Sequence, residues 1–338
     1  PMGSFTVSHT ASVAAILMAA ALAPFASAQT PSSKAPQPAP PAPAYSAPRT
    51  SFGQPSLEGV WTHNFILLME ASSRAPTLTL PETEAKAMAA ATGKMIGDQL
   101  DHGLDPEVPE LMRNTDGLAI VRGERRTRSV VMPADGRLPY TPEARKESSR
   151  GPIAKYADNH EERPNWERCI TSLGLPPVTG IGTTSVNPRH IIQTPGYVVL
   201  HTEYGDEARV IPLATTHKPK ELHSPIGDAI ARWDGDTLVV ETIGLPDNDR
   251  VRFFSTLVVT PEAKVIERFT RLSANELLYQ YTVEDPKAYS QPWLAEYSLY
   301  RTDQRMFEHA CHEGNYSLPN ILRAERVKDA RKATPPPG

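Results

Sequence analysis

A histidine beside carboxylates is the material of proton transfer near neutral pH, because imidazole is the side chain whose unperturbed proton affinity falls in that range. Two segments of this chain concentrate that material: His223, Asp228 and Arg232 in one, and His312, Glu313 and Asn315 in the other. The expected roles are acid and base for His223 and His312, orientation for Asp228 and Glu313, and substrate binding for Arg232 and Asn315. Each segment also has a plainer reading. Asp228 and Arg232 would form an ion pair fixing the start of a hairpin, and Glu313 and Asn315 would cap the loop after the last strand.

A second neighbourhood has metal-binding chemistry. His201 and Glu203 are two residues apart in an extended segment and so share a face, as do His309 and Cys311. Facing one cavity, His201, Glu203 and His309 would make a facial site for a divalent metal. Cys311 competes with that arrangement, because Cys169 and Cys311 are the only cysteines. In an oxidising compartment a disulfide between them is expected, with two buried thiols or a cysteine-based site as the alternatives. Zincin, zinc-ribbon and c-type haem motifs are absent, as is the G-x-S-x-G elbow, and Gly174, Gly180 and Gly182 do not form a phosphate loop. No organic cofactor is expected, and a divalent metal is the one inorganic group these residues admit. Trp61, Tyr197, Tyr204, Trp233, Tyr279, Tyr281, Trp293 and Tyr297 either line a pocket for a sugar or an apolar ring compound or pack as core; Tyr204, Trp233 and Trp293 are the substrate-binding candidates.

The elements that must position these groups are mostly strands. Glycine and an aromatic open the first, at 57–62. Helical composition follows from Glu82 to about Leu100. A second helix starts at Thr141-Pro142-Glu143-Ala144, where a capping hydroxyl, a proline and an acid coincide. From His190 onward the period is two. One hairpin joins Ile191–Gln193, Gly196–Tyr204 and Ala208–Ile211, and a second joins Ala229–Trp233 to Thr237–Thr242 through Asp234-Gly235-Asp236. A third pairs Val265–Arg271 with Glu276–Glu284, and a fourth pairs Trp293–Tyr300 with Met306–Cys311 across Thr302-Asp303-Gln304. Successive hairpins predict a mainly β fold: an antiparallel meander closing as a barrel or sandwich, lipocalin-like at a coarse level, with a few helices in the N-terminal half.

The run from Gly227 to Thr242, G-D-A-I-A-R-W-D-G-D-T-L-V-V-E-T, resembles the central motif of a family of exported, largely uncharacterised bacterial proteins. Leu138-Pro139-Tyr140-Thr141-Pro142-Glu143-Ala144, Arg168-Cys169, Gln193-Thr194-Pro195-Gly196-Tyr197, Asp285-Pro286-Lys287-Ala288-Tyr289, Pro292-Trp293 and Cys311-His312-Glu313 extend the resemblance over roughly residues 57–325. It implies a secreted β-rich fold and no particular activity. The segment after Gly244 departs from that family, lacking a His-Ser pair ahead of Val265.

The ends read as targeting and spacer. The apolar run Val13–Ala23 followed by Ala26-Ser27-Ala28 matches a secretory signal over residues 1–28, although His9 and no Lys or Arg precedes the run. The run is too short to span a bilayer core of about 30 Å. Residues 29–56 and 326–338 read as a disordered linker and tail, leaving 57–325 as one β-rich domain; the chain's 34 prolines, about twice average usage, cluster at the ends and in loops. A net charge of -4 with interspersed signs offers no footprint for nucleic acid. The expected protein is periplasmic or secreted, with no membrane insertion of the mature chain and a small molecule as partner; its oligomeric state is open. Acid–base chemistry of hydrolase or lyase type leads, ahead of a lipocalin-like carrier, for which Gly59-Val60-Trp61 is the hint, and an envelope assembly protein.

Overall fold

The computed structural model describes residues 45–333 apart from 64, 101–116, 149–158, 164, 166, 172–175, 177–187 and 247–256. The signal segment, the first part of the linker at 29–44 and the end of the tail therefore lie outside the described residues. Alternation makes the sheet. In Glu276–Glu284, Leu277, Tyr279, Tyr281 and Val283 are buried, while Gln280, Thr282 and Glu284 on the other face are half-buried. Thirteen strands form among the described residues: β1 Gly59–Thr62, β2 Thr79–Leu80, β3 Ile120–Val121, β4 Glu124–Arg126, β5 Val130–Met132, β6 Arg189–Gln193, β7 Tyr197–Thr202, β8 Glu207–Pro212, β9 Asp228–Asp234, β10 Thr237–Ile243, β11 Lys264–Arg271, β12 Glu276–Glu284 and β13 Trp293–Thr302.

Ten of them make one antiparallel sheet in the order β8-β7-β6-β1-β13-β12-β11-β10-β9, with β5 also paired to β13; β2, β4 and β3 make a small second sheet. The three hairpins expected between Ile191 and Glu284 are all present. The fourth is not. Residues 303–310 form no strand, and β13 instead pairs with β12 on one side and with β1 and β5 on the other. Met306-Phe307-Glu308 lacks the alternation of a half-buried strand, so strands from far upstream take that edge.

The two end strands of the large sheet, β8 and β9, are consecutive in the chain. Leu213, directly after β8, makes a parallel bridge to Ala231 of β9, and the Ala214 amide donates to the Ala231 carbonyl at 3.2 Å. Inward side chains of β8 and β11 meet: Arg209 donates to both oxygens of Glu267 at 3.0 and 2.6 Å, and the Tyr279 hydroxyl donates to the same carboxylate at 2.8 Å. Burial, then Glu267, raises the Tyr279 phenol well above its ordinary range. Around this network lies one apolar core including Trp61, Leu238, Phe269, Tyr281, Trp293 and Tyr297.

Three α-helices lie among the described residues, α1 Glu82–Leu100, α2 Pro142–Ser148 and α3 Ser317–Ala333, with short 3-10 turns at His160–Glu162 and Lys220–Leu222. Acids in the first turn of α1 complement its dipole, and Ala85 and Ala89 pack on Ile66 and Leu118 in a separate small core. The Thr141 hydroxyl caps α2, accepting from the Ala144 amide at 3.3 Å.

The outer boundaries of the folded part differ from the sequence reading. Residues 45–56 are ordered: Ala47 is buried and Arg49 bridges Pro55. Residues 326–333 extend α3 rather than forming a tail, because Arg, Lys and Ala are good helix formers and Lys328 and Lys332 pair with Glu325 and Asp329 one turn back.

A disulfide joins Cys169 and Cys311, 142 residues apart in sequence, with Cα atoms at 5.8 Å. No helix among the described residues is long and apolar enough to cross a membrane.

Candidate functional site

The second hairpin positions two carboxylates on one face. Its Asp-Gly turn places Gly235 at φ +59° and sets the register in which Ile230 faces Glu241 and Asp228 faces Ile243. Side chains alternate, so Asp228, Ile230 and Glu241 all lie on the outer face of the sheet. The entry to β9 is tight. Gly227 has φ +77°, and a β-carbon there would lie 2.6 Å from the Ile243 carbonyl oxygen.

The loop from Leu213 to Gly227 folds over that face and brings a histidine between the acids. His217 Nδ1 lies 2.8 Å from Asp228 Oδ2, and its Nε2 lies 3.2 Å from Glu241 Oε1. The Lys218 amide donates to the same Asp228 oxygen at 3.0 Å, and Lys218 Nζ stands 3.9 Å from the other. The side chain of Asp228 is 4% exposed, that of His217 16% and that of Glu241 29%. Burial and two donors hold the aspartate as an acceptor, which assigns the ring's Nδ1 a proton. Nε2 then points at the more exposed acid. The buried carboxylate orients the ring through Nδ1, and Nε2 is directed at the more solvent-accessible Glu241, the side from which a substrate could reach it.

His217 was not among the expected residues. The hairpin register read from the Asp-Gly turn already puts Asp228 and Glu241 on one face, and that is the signal that could have pointed to a loop histidine. His223 instead donates from Nε2 to the Lys218 carbonyl at 3.0 Å, with its Nδ1 buried and without a partner against Gly244. Arg232 is exposed on the outer face, four residues along the strand from Asp228 and so about 13 Å away. The ion pair considered between them does not form; Asp228 is held by His217 and Lys218. Trp233 faces inward opposite Leu238, half-buried.

The other expected residues fall elsewhere. His312 and Glu313 are exposed in the turn after the disulfide, and no hydrogen bond among the described residues joins them to Asp228 or His223. Asn315 donates to the Glu167 carbonyl at 2.7 Å and accepts from the Leu318 amide at 3.3 Å, capping α3. His201 Nε2 lies 2.9 Å from Asp206, Glu203 accepts from the Phe307 amide at 2.7 Å, and His309 stacks on Tyr204 with ring centres 4.4 Å apart. Among the described residues no three His, Cys, Asp or Glu side chains converge as a metal site. Trp293 is core, packed edge-on to Tyr281 and Tyr289.

Inside the large sheet is a cavity of about 20 Å³, lined by Ile191, Leu200, Phe269 and Leu299 with Arg189 and Arg209. That volume holds about one water. Compared with known proteins, the chain matches no family model and no curated protein.

Proposed function

We propose that this protein is an exported, periplasmic or secreted enzyme of acid–base type, hydrolytic or lyase-like, acting on a small organic substrate at His217. The observation that carries the reading is the imidazole held by buried Asp228 at one nitrogen and facing half-exposed Glu241 at the other. A substrate that displaces Glu241 from Nε2 meets a nitrogen already oriented for proton transfer, while Asp228 stabilises the imidazolium that forms. The disulfide is compatible with an oxidising compartment. The bridge from Leu213 to Ala231 and the Arg209–Glu267 contact support closure of the large sheet as a barrel, with the site on its outer wall.

The test is turnover on a panel of esters, lactones and glycosides, comparing the parent with His217→Gln and Asp228→Asn. Both variants should remain folded, with kcat lowered by about 10²- to 10⁴-fold for His217→Gln. Parental turnover in a folded His217→Gln protein would retire the reading.

A further inference from the structure

His223 lies in the same loop as His217 yet touches neither carboxylate. Its Nε2 donates to the carbonyl of Lys218, 3.0 Å away, and the amide of that same Lys218 donates to Asp228 Oδ2, 3.0 Å away. Residue 218 is thus held on both sides, by a histidine at its carbonyl and by the aspartate at its N–H, and it directly follows His217. The fit on the far side of the ring is close. Gly244 has φ +68°, and a β-carbon there would lie 1.9 Å from His223 Nδ1, so the ring sits where only a glycine leaves room. The loop adds further bonds, from the His223 amide to the Lys220 carbonyl at 3.1 Å and from the Ser224 side-chain hydroxyl to the Gly227 carbonyl at 2.8 Å.

We infer that His223 is a positioning residue for His217, acting through the backbone of Lys218: it sets the loop so that the Lys218 amide and the His217 ring meet Asp228 together. The inference rests on the reading of His217 as the working group. Its consequence is specific. Without the bond to its carbonyl, residue 218 is free to turn, the Lys218 amide leaves Asp228, and the imidazole loses the partner that fixes its tautomer.

The experiment uses the full-length exported protein, ¹⁵N-labelled, with three variants. His223→Gln keeps an N–H donor near the place of Nε2, His223→Asn keeps a polar group too short to reach the carbonyl, and His223→Leu removes the donor. Two quantities are read by NMR without any substrate: the protonation pattern of the His217 ring nitrogens, and amide exchange at Lys218 relative to Val240 in β10. Leu and Asn should each raise Lys218 exchange by at least about tenfold, with Val240 unchanged, and should average the His217 nitrogens. Gln should restore the parental pattern. Unchanged Lys218 exchange and an unchanged ring in Leu and Asn would overturn the inference, as would Gln behaving like Leu. Should Leu and Asn both fail to fold, a folded Gln variant with the parental ring supports it and an unfolded one overturns it. Because no turnover is measured, this result stands apart from the enzyme test, and either can fail alone.

Discussion

Arg209 and Glu267 meet end to end inside the sheet, guanidinium to carboxylate, although 58 residues separate them in the chain. Both are almost wholly buried, so removing one partner strands a charge. Glu267→Gln should lower unfolding stability by about 3–5 kcal/mol in urea titrations. Replacing the network together, with Arg209→Met, Glu267→Leu and Tyr279→Phe, should recover most of that loss. A triple variant no more stable than Glu267→Gln would mean that the side chains matter for their shape and not for their charge.

His63 gives stability a dependence on pH. Burial, and then the neighbouring Arg189, push its imidazole down to about 3 from an ordinary 6.5, so it is neutral in the folded protein. The unfolded chain takes up the proton first as pH falls. Stability is therefore full above about 6.5 and declines as pH drops from there toward 3. Between pH 7.5 and 5 the parent should lose about 2 kcal/mol more than His63→Phe, whose ring can pack on Phe65 and Tyr297 as His63 does. Chemical denaturation of both proteins at the two pH values measures the difference, and parallel pH curves would show that His63 is not the group responsible.

The disulfide should matter most for the segment it anchors. Reduction removes a cross-link over 142 residues, an effect of about 3–5 kcal/mol on loop-entropy grounds. Asn315 approaches Cys169 Sγ at 3.4 Å and bonds the Glu167 carbonyl, so the same step should loosen the segment 303–316. Limited proteolysis after mild reduction should cut there before it cuts the sheet. Simultaneous cutting throughout would indicate global unfolding instead.

What could be read from the sequence was local. The hairpins between Ile191 and Glu284 are written in alternation and turn residues, which depend on neighbours a few positions away, and the limits of α1 follow from composition. The partners of β13 are not local: β1 and β5 lie more than 150 residues upstream, and nothing in Trp293–Thr302 names them. The same limit hid His217. The Asp-Gly turn placed Asp228 and Glu241 on one face, but which loop histidine would fall between them depends on the path of 213–227, set by contacts such as Leu213 with Ala231 and His223 with Gly244. His223, chosen for its chemistry, sits one step removed through a backbone.

The place of β1 also bears on timing. Its two neighbours are β6 and β13, and the pairing of Trp61 with Arg189 and Arg301 puts the second of them 240 residues later in the chain. A ribosome adding about 5–20 residues per second needs many seconds to cover that distance. Among the described strands, the first synthesised therefore waits, half-paired at best, for the last. Such a chain has high contact order and should fold slowly, once β13 has been made. Trp61, wholly buried in the finished protein, reports that long-range pairing: with the other three tryptophans replaced by Phe, its fluorescence should be among the last signals to settle on refolding.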